Sequence, residues 1–78
     1  MKIIQVYGSG CNNCAVTAER FTQLARELGQ EVEIEKVTSL EEIMKAGIIS
    51  TPGVGVNGII QHTGSVPTES QVRAMLLA

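Results

Sequence analysis

The pair Asn57-Gly58 separates two short apolar runs, Val54 to Val56 and Ile59 to Gln61, and it restricts the fold more than any other stretch. A type I′ turn needs positive φ at both central positions, which Asn and Gly tolerate best, so the two runs are expected to form a tight antiparallel hairpin. The chain ahead of the hairpin follows another rhythm. Lys2 to Tyr7 is rich in β-branched residues, is apolar on both faces and is closed by Gly8-Ser9-Gly10, as suits a central strand covered on both sides. From Cys14 to Leu28 the residues Cys14, Ala18, Phe21, Leu24, Ala25 and Leu28 recur at helical spacing, and Gly29 supplies the stop. In Glu31 to Val37 the glutamates 31, 33 and 35 face out while Val32 and Ile34 face in, which predicts an edge strand.

Two further helices complete the order. Ser39-Leu40-Glu41-Glu42 matches a capping box ahead of a short helix that offers Ile43 and Met44 to the core and stops at Gly47. Thr68 to Gln71 matches another, opening a last helix with Val72, Met75 and Leu76 inward. The predicted order is strand, helix, strand, helix, two hairpin strands, helix. A right-handed crossover makes the first two strands parallel neighbours and the hairpin is antiparallel, so the fold class is α/β: βαβαββα, a four-stranded mixed sheet with helices on both faces.

With 78 residues, the chain is read as one domain over 1–78. Such a chain buries only roughly 60 to 65% of its unfolded surface, so its elements must be regular. Tyr7 and Phe21 are its only aromatics, which leaves the core to Ile, Val, Leu, Met and Ala. The net charge of -2 sets eight glutamates against six Lys and Arg with no basic cluster, and this argues against a nucleic-acid partner. No apolar run approaches the roughly 18 residues of a membrane span. Met1-Lys2 leads into a strand rather than a signal peptide, so a cytoplasmic protein without a membrane partner is expected. Two cysteines three positions apart then read as redox or metal chemistry.

Cys11 is expected in the loop that enters the long helix from the carboxyl end of the first strand, where unpaired N–H groups and the positive end of the helix dipole converge. Placement of this kind lowers a cysteine pKa from about 8.5 to roughly 3.5 to 7.5, which suits a nucleophile and leaving group. Cys14 opens the buried helical stripe, within reach of Cys11 but shielded, as suits a resolving thiol. Dithiol exchange of this kind calls for no cofactor. The same spacing also forms half of a zinc site or a soft-metal clasp.

The element order, together with Gly8-Ser9-Gly10-Cys11-Asn12-Asn13-Cys14, Ser50-Thr51-Pro52, Val56-Asn57-Gly58 and Gly64, resembles the small prokaryotic thioredoxin-like and glutaredoxin-like redox-active disulfide proteins over essentially the whole chain. The resemblance implies a minimal thioredoxin fold and a dithiol/disulfide cycle at Cys11 and Cys14, acting on protein or small-molecule disulfides. It also implies a cis bond at Thr51-Pro52 facing the cysteines, which exposes backbone groups to an extended substrate segment. Gly10, Asn12, Asn13, Thr51 and Pro52 are the candidate substrate contacts. The implied partners are a disulfide-bearing target protein and a reductase, and the chain is expected to be a monomer. Larger thioredoxins carry a tryptophan before the first cysteine and a buried acid in the preceding strand, where this chain has Ser9-Gly10 and Gln5.

Two other readings compete. Heavy-metal-associated domains also place Cys-x-x-Cys after the first strand to bind Cu(I), but continue helix, strand, strand, helix, strand. A redox-inactive interaction module that keeps the fold is the other. Gly53 and Gly55 admit either a partner's backbone or bulky neighbours such as Phe21 or Met44. His62 reads as a surface residue, and the methionines as core filler.

Overall fold

The apolar run at the start of the chain becomes the strand around which the others assemble. In the computed structural model, which describes residues 2–8 and 12–78, the elements are β1 (Lys2–Tyr7), α1 (Asn12–Glu27), β2 (Val32–Val37), α2 (Leu40–Lys45), β3 (Gly53–Val56), β4 (Ile59–Thr63) and α3 (Glu69–Leu77). The sheet has four strands in the order β2-β1-β3-β4. β1 pairs β2 in parallel and β3 antiparallel, and β3 pairs β4 antiparallel. The expected mixed sheet is present, with β2 at an edge. This order also departs from that of heavy-metal-associated domains.

Each face of the sheet has its own core. Ile4, Val6 and Val54 pack with Cys14, Ala18, Phe21, Leu24 and Ala25 of α1 and with Val72 and Leu76 of α3. On the other face Tyr7 packs with Ile43 of α2 and Ile48 of the following loop, flanked by Val37, Ala46 and Ile60. Alternation along β1 explains the division, because successive side chains of a strand point to opposite faces. Among the described residues no helix is long and apolar enough to cross a membrane.

Local chemistry sets the ends of the elements. Gly29, at φ 68, ends α1 with the Gly29 N–H on Arg26 O at 3.2 Å and the Gln30 N–H on Ala25 O at 2.8 Å, the paired bonds of a Schellman stop. Asn57 and Gly58 have φ of 52 and 87, as the hairpin required. Asn57 also pairs with β1: its N–H donates to Ile3 O at 2.8 Å and its Oδ1 accepts from Ile3 N–H at 2.9 Å. Thr68 and Gln71 form the expected capping box at α3.

Four expectations need correction. α1 begins at Asn12 rather than Cys14, its first turn carrying two exposed polar residues that apolar periodicity does not register. Ser39 occupies the N-cap of α2 but its side chain makes no capping hydrogen bond, so the capping box there is not formed. Ile43 is buried, yet Met44 is 74% exposed; neighbouring helical residues point about 100° apart, and so short a helix turns only one of them to the sheet. A β-carbon on Gly53 or Gly55 would meet Ile48, or Gln5 and Tyr7, rather than Phe21 or Met44.

Candidate functional site

The carboxyl end of β1, the first turn of α1 and the start of β3 meet around Tyr7. Tyr7 is in register with Gly53, the residue after Pro52. Its backbone carbonyl accepts a long hydrogen bond, at 3.9 Å, from the thiol of Cys14. One backbone unit therefore stands between the cysteine of the first helical turn and the proline-bearing loop. The carboxyl end of the parallel β1–β2 pair is also where open α/β sheets present their ligand sites.

Cys14 is buried, 8% exposed, and belongs to the core cluster formed by α1, α3 and the sheet. It is the third residue of α1, so its backbone N–H is one of the four that a helix start leaves without an intrahelical acceptor. Asn12 and Asn13 precede it on the same turn with exposed side chains. Gly10 and Cys11 lie outside the described residues.

The Thr51–Pro52 peptide bond is cis, as the resemblance implied. Thr51 is exposed and Pro52 buried. Two contacts fix the segment around them. The Gly64 N–H donates to Pro52 O at 3.0 Å, which joins the loop after β4 to the proline. Arg20 of α1 donates through Nη1 to Pro67 O at 2.7 Å, which joins the same loop to the helix bearing Cys14. The loop over 64–67 is thus tied to both candidate elements.

Sequence reasoning missed three participants. Thr17 is fully buried and donates through Oγ1 to Asn13 O at 2.7 Å; its place on the Cys14–Ala18–Phe21 stripe was the available signal. The Tyr7 carbonyl and the Arg20–Pro67 bond are tertiary and leave no local trace. Gln5, at the position noted for its lack of an acid, accepts from the Gly58 N–H at 3.1 Å. His62 is half-buried, with Nε2 3.0 Å from Ser65 Oγ. Among the described residues no group of three or more His, Cys or carboxylate side chains is gathered that could hold a metal ion.

Comparison with known proteins agrees with this architecture. A family model described as a thioredoxin domain matches residues 2–77. A thioredoxin of Methanothermobacter thermautotrophicus is 33% identical over 76 residues, covering 97% of this chain and 99% of the relative. One from Methanocaldococcus jannaschii is 34% identical over 76 residues, covering 97% of this chain and 87% of the relative. Among solved structures, the oxidised thioredoxin of Plasmodium falciparum superposes with a TM-score of 0.63 at 21% identity, covering 97% of this chain and 78% of its own. That last likeness concerns the fold.

Proposed function

This chain belongs to the thioredoxin family and is a thiol–disulfide oxidoreductase, and we propose that its exchange runs through Cys11 and Cys14. The observation that carries the reading is the placement of Cys14. It is buried on the first turn of α1 with its thiol directed at the end of β1, as a resolving thiol needs if solvent oxidants and foreign disulfides are to be kept from it.

In the proposed cycle the Cys11 thiolate attacks one sulfur of a target disulfide. A mixed disulfide forms, and the other target sulfur leaves as a thiolate that takes a proton from solvent. Cys14 then gives up its proton, attacks the Cys11 sulfur and expels the second target thiolate. Two electrons pass to the target, and Cys11–Cys14 is left oxidised. A reductase or a reduced thiol pool supplies the two electrons that reset the pair. Gly10, Asn12, Asn13, Thr51 and Pro52 are the surfaces offered to the target. The exposure of Asn12, Asn13 and Thr51 supports that role for those three. Protein and small-molecule disulfides are both chemically competent, and a reducing compartment, the cytoplasm, suits a chain with only these two cysteines.

The test is trapping together with titration. Cys14→Ser is expected to accumulate mixed disulfides through Cys11, Cys11→Ser to abolish exchange, and the unmutated chain to show one two-electron transition in a redox buffer. A chain with no such transition that binds Cu(I) tightly one-to-one would transfer the cysteines to a metal carrier.

A further inference from the structure

We infer that Ile49 is a specificity-determining residue of the exchange site: its side chain receives an apolar residue flanking the target cysteine, so the preferred substrate is a disulfide in an uncharged, apolar polypeptide segment. The inference deepens the dithiol reading above and rests on it. Ile48 and Ile49 are neighbours with opposite fates. Ile48 is 5% exposed, packs with Tyr7 and Ile43 and lies against Gly53, whereas Ile49 is 99% exposed. Ile48 thus supplies the packing that fixes this loop, and folding gains nothing from an apolar group at 49. A lone exposed isoleucine would call for no explanation. This one has company: Leu40 and Met44, one helical turn apart on α2, are also exposed, at 67% and 74%. Three of the five exposed large apolar side chains among the described residues therefore fall within 40–49.

The place of Ile49 in the chain says what covers it. It stands two residues before Thr51, whose exposed side chain and cis bond to Pro52 belong to the surface offered to the target. A chain spans at most about 3.6 Å per residue, so the α-carbons of Ile49 and Thr51 lie within about 7 Å of each other. A target segment lying along Thr51 therefore reaches Ile49 with one of its neighbouring side chains. Charge offers no competing recognition. Residues 12–18 and 46–68 contain no Lys, Arg or Glu, and the chain has no Asp. Arg20, the cation that reaches the neighbouring loop, is half-buried and held on Pro67 O at 2.7 Å. On α2 the charge of Lys45 is matched by Glu41 at 3.3 Å. An anionic small-molecule disulfide finds no cation in these segments to hold it, whereas an apolar side chain gains by leaving water against Ile49.

The test measures the second-order rate constant with which the reduced chain reduces each of three probes. They are a disulfide-linked peptide with leucine on either side of its cysteine, the same peptide with serine in place of leucine, and hydroxyethyl disulfide. The leucine peptide is expected to react roughly three- to tenfold faster than the serine peptide. Ile49→Ala should abolish that preference and Ile49→Leu should keep it, while neither changes the rate with hydroxyethyl disulfide or the reduction potential. Because Ile49 is almost fully exposed, both variants are expected to fold. Equal rates for the two peptides in the unmutated chain, a preference that survives Ile49→Ala, or equal slowing of all three probes by that variant overturns the role of Ile49 alone. So does a concentration-dependent mass in sedimentation that Ile49→Ala removes, because the exposed apolar surface would then serve a second copy of the chain. Failure of the unmutated chain to reduce any of the three probes overturns the dithiol reading and this inference together.

Discussion

Gln5 Oε1 accepts a hydrogen bond from the backbone N–H of Gly58 at 3.1 Å, so the side chain midway along β1 is committed to the hairpin turn. β1 and β3 run antiparallel, with Tyr7 opposite Gly53 and Ile4 opposite Val56. Gly58 therefore lies beyond the end of β3 that is remote from Pro52. A side chain held there stabilises the β3–β4 hairpin and is turned away from the proton of Cys14. Gln5→Leu is expected to cost about 0.5 to 1.5 kcal/mol in denaturant unfolding, the usual net value of one such bond. It should leave the reduction potential where it was. A shifted potential in redox-buffer titration would place the amide in the chemistry after all.

Gly53 makes room for Ile48. A β-carbon at Gly53 would lie 2.7 Å from Ile48 Cδ1 and 3.2 Å from Cγ2, and Ile48 is part of the core on the α2 face. Gly53→Ala should push Ile48 off its rotamer or off the sheet, at about 1 to 3 kcal/mol for overpacking. Ile48 and Gly53 bracket the segment carrying Thr51 and Pro52, so exchange with a peptide disulfide should slow as well. Ile48→Val alongside Gly53→Ala removes the Cδ1 atom that clashes and is expected to recover part of the loss. Thermal unfolding of the single and double variants measures this coupling, and strict additivity would contradict it.

The contrast between Gly53 and the hairpin turn shows how far the chain could be read before its structure was known. Asn57-Gly58 was legible because a I′ turn is decided within four residues, and Thr68 with Gln71 because both partners of that cap lie within one helical turn. Ser39 has the same local pattern without the side-chain bond, since a cap motif permits the contact without requiring it. Met44 failed for a related reason: neighbouring apolar residues on so short a helix look equivalent until the sheet selects one of them. The Cys-x-x-Cys spacing and Thr51-Pro52 marked the candidate site because their chemistry is carried by residue type. What joins the two is the Tyr7 carbonyl with the Gly64 and Arg20 bonds. Their partners are far apart in sequence or use backbone atoms that every residue possesses, so no pattern could announce them. Thr17 stood in view as a polar residue on an apolar stripe, and its meaning depended on which carbonyl it would find.

Arg20 links the helix of Cys14 to the loop of Pro52. Its guanidinium donates to Pro67 O at 2.7 Å, Pro67 is buried, and at the other end of the same loop the Gly64 N–H holds Pro52 O at 3.0 Å. A hydrogen bond from a charged donor contributes about 1.5 to 3 kcal/mol. Its removal also leaves a partly buried carbonyl in need of a partner. Arg20→Met keeps an apolar stem of similar length and isolates the loss of the guanidinium. The expected outcome is a fall of about 1.5 to 3 kcal/mol in unfolding free energy with the reduction potential unchanged, because neither sulfur is touched. Exchange with a peptide disulfide should slow by less than roughly tenfold, and more than exchange with a small-molecule disulfide, since only the extended substrate relies on the alignment of loop and proline. Equal slowing of both substrates would mean that Arg20 supports the helix of the thiols rather than the surface on which a target lies.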